Sequence, residues 1–308
     1  MTYHEDIERA WARMRSIPSR FLETESGTIE YVDEGKGQPV LMSHGIFGSH
    51  AEALGMIRTY YGDDAFAIAP SRFGYFGSQL PPHATPALQA DVYASLLDDL
   101  GINRVVAIGF SAGGPSILEF GLRHPDRVDL LVLLSSALPR KPITRLVTAL
   151  GAPLMRVFLR DRVMWTFMSL MPRSFQSLIG VPKAFDLSAG ELATIREISE
   201  SMLPVPPRRE GVVFDAFVGN PHVNSCSLEE ITTPALLIHA VDDGLAPYQT
   251  AVDAAVRIPA IRFVSLTGGH EFLGHEGAVQ TAIHSALAEV VSTSTHPTSP
   301  TVAPGAGA

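Results

Sequence analysis

Gly109-Phe110-Ser111-Ala112-Gly113 sets a serine between two glycines at the spacing of a nucleophile turn. The apolar run Arg104 to Ile108 before it reads as a buried strand, and Ala112 to Arg123 after it reads as a helix. A tight strand-to-helix turn crowds neighbouring backbone, which requires small residues at Gly109 and Gly113. The Ser111 hydroxyl would then project at a helix N-terminus, where developing negative charge is favoured. A serine hydroxyl is a poor nucleophile near neutral pH. It needs a base, and the base needs a carboxylate to orient it.

Both partners follow in chain order. VDDGLAP (241–247) succeeds the apolar run 235–240, and TGGH (267–270) succeeds the run 262–266. Each delivers a polar residue at the carboxyl end of a strand, the edge where open α/β sheets build their sites. Asp243 is the expected acid, with Asp242 in reserve. Among eleven histidines His270 alone comes directly after the last expected strand, whereas His275 and His284 fall in the helix that follows. Acyl transfer also needs donors aimed at the oxyanion. SHGIFG (43–48) follows another buried strand, so the amides of Ile46 and Ala112 are the expected donors, with Phe47 second to Ile46. His44 is expected to brace that loop rather than react.

The elements that must hold these residues are legible around them. Residues 4–15 read as a short charged helix, a surface appendage ended by Pro18. Residues 20–25 and 28–33 flank Ser26-Gly27 as a hairpin, and Pro39 to Ser43 lacks alternation, as a strand covered on both faces does. Strand 65–69, a helix from the Thr85 cap through Pro86 to Leu100, strand 104–108, helix 112–123 and strand 130–135 then alternate. The fold class is α/β. Residues 138–232 break the alternation with helical, proline-punctuated sequence, and strands at 235–240 and 262–266 and a helix over 272–290 resume it. The expected organisation is a core of residues 1–137 and 233–291, an inserted cap of 138–232, and a disordered tail of 292–308, which has too little apolar mass to offset ordering.

With 308 residues, 46% of them hydrophobic, the chain can bury one sizeable core. Its 23 basic against 32 acidic residues leave a formal charge of -9 with no basic cluster, which argues against nucleic acid as a partner. Cys226 stands alone, so no internal disulfide is expected, and paired zinc-type cysteines and histidines are missing. No metal and no cofactor are called for by the chemistry above. The polar start Met1 to Asp6 does not read as a secretory signal, and arginines interrupt the lipophilic region 143–179. A soluble, cytoplasmic protein without stable membrane insertion is expected, and a homodimer is left open.

HGIFG (44–48), SRFGYFGS (71–78), GFSAGG (109–114), HPDRV (124–128), VDDGLAP (241–247) and GGH (268–270) arrive in an order that resembles the α/β-hydrolase superfamily over about residues 20–290. The resemblance implies a Ser111/His270/Asp243 triad over a mostly parallel eight-stranded sheet flanked by helices, with the inserted segment as a helical cap. Ser71-Arg72-Phe73 is a variant of the family's turn on which nothing catalytic is expected to depend. Relatives similar to haloalkane dehalogenases and epoxide hydrolases carry Asp at the elbow, so Ser111 disfavours both. Proline iminopeptidases usually have Trp where this chain has Ala112, and Glu197 and Glu200, three apart, read as a solvated helix face. Carbon-carbon hydrolases usually show Ser-Met-Gly, against which Ser111-Ala112-Gly113 argues weakly.

The cap supplies Met155, Phe158, Leu159, Met164, Trp165, Phe167, Met168, Leu170 and Met171, such as would line an adaptable lipophilic pocket or pack the cap on the body. Phe47, Phe110, Met164, Trp165 and Met168 are the expected substrate contacts, and Cys226 is expected as a small buried residue. The leading expectation is a serine hydrolase cleaving a carboxylic ester, lactone or thioester of a small to medium hydrophobic substrate. The alternatives are carbon-carbon bond hydrolysis and a ligand-binding receptor on the same fold with little turnover.

Overall fold

Apolar side chains on successive strand residues point to opposite faces, so a continuous aliphatic run such as VVAIGF must be covered on both sides. The computed structural model, which describes residues 2–140, 145–181 and 187–295, satisfies this with one eight-stranded sheet. Its strands are β1 (Arg20–Thr24), β2 (Gly27–Gly35), β3 (Gln38–Ser43), β4 (Ala65–Pro70), β5 (Val105–Phe110), β6 (Val128–Leu134), β7 (Ala235–Ala240) and β8 (Ile261–Leu266). They lie in the order β1-β2-β4-β3-β5-β6-β7-β8; β2 pairs antiparallel with β1 and β4, and every later pairing is parallel.

The helices are α1 (Tyr3–Arg15), α2 (His50–Tyr60), α3 (Pro86–Asp99), α4 (Gly114–Arg123), α5 (Arg145–Phe158), α6 (Asp161–Leu170), α7 (Pro172–Leu178), α8 (Ala189–Ser201), α9 (Arg209–Phe214), α10 (Asn220–His222), α11 (Tyr248–Arg257) and α12 (Glu276–Thr295). Val105, Ala107, Leu131, Leu133 and Leu237 pack with α3, α4 and α11 on one face of the sheet. Val106, Ile108, Val132, Leu134, Leu236 and Ile238 pack with α2 and α12 on the other. The helices α5 to α10 occupy the insertion between β6 and β7.

Four elements differ from what the sequence suggests, among them α11 (Tyr248–Arg257), which went unread between β7 and β8. α2 went unread, although Ser49 caps it by accepting from the Ala51 amide at 3.0 Å. α1 is no free appendage: Ile7, Ala10 and Met14 form an i, i+3, i+7 stripe, Ala10 and Met14 are buried, and the Arg13 guanidinium donates to the carbonyls of Glu200 and Leu203 at 3.0 and 2.8 Å. α12 continues through Thr295, beyond the expected start of the tail at residue 292. The rest of the expected tail, residues 296–308, lies outside the described residues. No helix among the described residues is long and apolar enough to cross a membrane.

Candidate active site

Ser111 leaves β5 with φ +50°, in the left-handed region that side chains avoid, and opens a single 3-10 turn that runs into α4. The flanking glycines are enforced by backbone. A Cβ on Gly113 would lie 2.0 Å from the Ser43 carbonyl oxygen, and one on Gly109 would lie 2.9 Å from the Gly114 Cα.

His270 Nδ1 donates to Asp243 Oδ2 at 2.8 Å. Asp243 Oδ1 accepts from the Leu245 and Ala246 amides at 2.8 and 2.9 Å, so both carboxylate oxygens are engaged. The neighbouring Asp242 instead accepts from the Gly269 and Gly268 amides at 3.1 and 3.3 Å, which shapes the turn that presents His270. His239 donates from Nε2 to the Ala246 carbonyl at 2.9 Å beneath the same loop. Burial alone would push the Asp243 carboxyl up, but the His270 hydrogen bond and charge, with the two amides, hold it below its ordinary value. Burial likewise works to lower His270, and the Asp243 hydrogen bond and charge outweigh it and raise the imidazole.

His270 Nε2 is buried without a hydrogen-bond partner, so the Ser111 hydroxyl is not bonded to it here. Both residues line one cavity of about 410 Å³. Such contacts are often long before substrate arrives. The insertion closes on His270 from above. The His270 amide donates to the Gly180 carbonyl at 3.3 Å, and a Cβ on Gly180, itself at φ +82°, would lie 2.5 Å from the His270 Cβ.

The loop after β3 lies against the serine, since a Cβ on Gly45 would lie 3.3 Å from the Ser111 Cβ. His44 donates from Nδ1 to the Gly45 carbonyl at 2.8 Å and accepts at Nε2 from the Arg72 amide at 3.0 Å, which fixes its tautomer. Burial, then the Arg72 charge, keeps His44 well below the usual imidazole range, so it is the neutral brace expected of it. The Phe47 amide faces the Tyr75 phenol oxygen, whereas the Ile46 amide has no hydrogen-bond partner among the described residues. Ala112 is the second residue of the 3-10 turn, where a backbone N–H has no carbonyl within the turn to reach.

Arg72, in a turn on which nothing catalytic is expected to depend, is the structural tie between this loop and the insertion. Its guanidinium is buried, donates to the Gly45 carbonyl at 3.3 Å, and holds Asp215 in a bidentate pair whose Nη1–Oδ1 bond is 2.7 Å. Asp215 begins a π-helical turn between α9 and α10 and also accepts from the Tyr75 hydroxyl.

Phe47, Phe110 and Met164 line the cavity over Ser111, together with Met155, Phe158, Leu159 and Phe167. Trp165 and Met168, expected as substrate contacts, do not. They line a separate cleft facing α1, where Trp165 Nε1 donates to the Asp6 carboxylate at 2.8 Å and its ring meets Tyr3 edge-on at 5.7 Å. α6 half-covers two faces, one over the cavity and one under α1, and the sequence pattern does not say which is which. Leu170 and Met171 are exposed. Met202, Leu245 and Glu271 also line the cavity and went unread; Glu271 had a signal, its place directly after His270.

Among the described residues one group of metal-ligating type converges outside this site: Glu119, His222 and Cys226. There His222 and the Cys226 thiol both donate to Glu119 Oε1, at 2.9 and 3.3 Å, and burial pushes the thiol pKa up, as suits the small buried residue expected.

Residues 38–276 match the family model of the alpha/beta hydrolase fold, and the chain belongs to that family. It is 30% identical to the uncharacterized hydrolase YcgS of Bacillus subtilis over 82% of this chain and 92% of that one. It is 28% identical to 2-hydroxymuconate semialdehyde hydrolase of Pseudomonas putida, over 74% of this chain and 78% of the relative. Among solved structures, a thermophilic esterase from Thermogutta terrifontis superposes with a TM-score of 0.67 at 25% identity, over 89% of this chain and 99% of the esterase.

Proposed function

We propose that the chain is a cofactor-independent serine hydrolase that cleaves a carboxylic ester, lactone or thioester of a small to medium hydrophobic substrate. The observation that carries this reading is His270, engaged by Asp243 through Nδ1, with its free Nε2 on the cavity that Ser111 also lines. Ser111 attacks the carbonyl as His270 Nε2 takes its proton, and Asp243 holds the imidazole tautomer and stabilises imidazolium. The Ile46 and Ala112 amides receive the oxyanion. His270 returns the proton to the leaving alcohol, then activates the water that releases the acyl group. The apolar lining suits a hydrophobic acyl or alcohol part.

The carbon-carbon reading is supported by the Pseudomonas relative, which is named as a hydrolase of 2-hydroxymuconate semialdehyde. Hydrolysis of p-nitrophenyl esters of graded acyl length, set beside a dioxo acid, separates the two. Ester turnover peaking at a short or medium chain, and reduced about a thousandfold or more by Ser111→Ala, is expected. Unchanged ester hydrolysis in that variant would refute the assignment. Turnover confined to the dioxo acid would move it to carbon-carbon cleavage, and tight binding without turnover of either to a receptor.

A further inference from the structure

The Ile46 amide belongs to a peptide group that is held firmly at its other end. The Gly45 carbonyl shares a plane with the Ile46 N–H, and in a trans peptide the two point in opposite directions. Three donors converge on that carbonyl: the Gly48 amide at 3.1 Å, His44 Nδ1 at 2.8 Å and Arg72 Nη2 at 3.3 Å. With the oxygen pinned, the Ile46 N–H is turned away from all three, and Ile46 lines the same cavity as Ser111. The turn closed by the Gly48 bond carries Phe47 at φ +63°, a conformation that persists only when its surroundings hold it.

Of the three donors, Arg72 is the one whose direction is set from the insertion. Nη1 donates to Asp215 Oδ1 at 2.7 Å, Nη2 divides its hydrogens between Asp215 Oδ2 and the Gly45 carbonyl, and Nε is buried without a partner. Asp215 therefore fixes how the planar guanidinium lies. The Arg72 amide also donates to His44 Nε2 at 3.0 Å, so the two side-chain donors are braced against each other. Asp215 accepts from the Tyr75 hydroxyl as well, and the Tyr75 oxygen faces the Phe47 amide, which leaves the Ile46 amide as the one this turn can offer a substrate. An apolar pair of similar volume often serves a core as well as buried ions do. What the ions add here is direction: a carboxylate of the insertion orients a guanidinium, which orients a carbonyl and the N–H behind it.

We propose that Asp215 and Arg72 are positioning residues for the oxyanion donor, so that the hole is completed only when the insertion is docked on the body. This rests on the ester-hydrolase reading, which makes the Ile46 amide that donor.

The test sets kcat and KM for a p-nitrophenyl ester beside the affinities of two ketones of equal length. A trifluoromethyl ketone takes Ser111 Oγ onto its carbonyl carbon while His270 Nε2 receives the hydroxyl proton and the carbonyl electron pair moves onto oxygen, which leaves an oxyanion in the hole; the methyl ketone binds without adding. Asp215→Asn, close in size, is expected to lower kcat about tenfold or more with KM within about twofold, the pattern of a contact made only in the transition state. It should weaken the trifluoromethyl ketone by a similar factor and leave the methyl ketone unchanged. The double variant Arg72→Met with Asp215→Leu replaces the buried ions by an apolar pair, so it is expected to keep the fold by circular dichroism and still show the same split. Glu210→Gln, which breaks the more exposed pair with Arg156 inside the insertion, is expected to alter neither kcat nor the ketones. Wild-type kcat in either Asp215 variant, equal losses for both ketones, or the same split in Glu210→Gln overturns the proposal. A wild type that leaves the ester intact and binds both ketones alike overturns the hydrolase reading beneath it, whereas a trifluoromethyl preference that survives in both variants overturns the positioning role alone.

Discussion

At the scale of single residues, His270 is held between burial, which favours the neutral ring, and Asp243, which favours the charged one, and the carboxylate prevails. A general base works only when Nε2 is unprotonated, so kcat/KM should rise with pH, with a midpoint above the ordinary imidazole value of about 6.5. Asp243→Asn removes the group that raises His270, so the surviving activity should have its rising limb displaced toward acid. A pH profile of the two proteins checks this, and coincident limbs would contradict the role given to Asp243. The sequence puts Asp243 first but keeps Asp242 in reserve, because both follow β7 within one turn. Their division depends on where the turn folds back: the first takes the Gly268 and Gly269 amides and the second takes the ring.

At the scale of elements, the serine turn was readable because backbone contacts at Gly109 and Gly113 admit no side chain there. Arg72 was not, because its partner Asp215 is 143 residues away in the chain. The pair joins the loop after β4 to the π-helical turn of the insertion, with both side chains nearly inaccessible. Removing one partner strands a buried charge, so Asp215→Ala should cost about 3–5 kcal/mol in urea denaturation. Adding Arg72→Met should recover part of that loss, since an apolar replacement of a whole buried pair is often tolerated. A loss below about 1 kcal/mol, the value of an exposed pair, would contradict the tie. That Trp165 and Met168 fall outside the cavity over Ser111 was not legible for a related reason: α6 is apolar on two faces, and only the docking of α1 shows which face is covered.

At the scale of the whole molecule, unbroken aliphatic runs gave away the parallel sheet because β3, β5, β6 and β7 are covered on both faces. The insertion was visible as a break in the alternation, but its fastening was not. Arg208, fully buried, donates to the carbonyls of Pro204 and Ser201 at 2.6 and 2.9 Å, to that of Gly48 at 3.3 Å, and to Glu52, so a residue of the insertion grips the loop and helix that follow β3. With Arg72 and the docking of α1, this sets the insertion over Ser111 and makes the cavity a property of the assembled fold. The most direct test of the account is fluorophosphonate labelling followed by peptide mapping, wild type beside Ser111→Ala. The account predicts one adduct, on Ser111, absent from the variant; a folded wild type that takes no label, or that carries it on another residue, would contradict it.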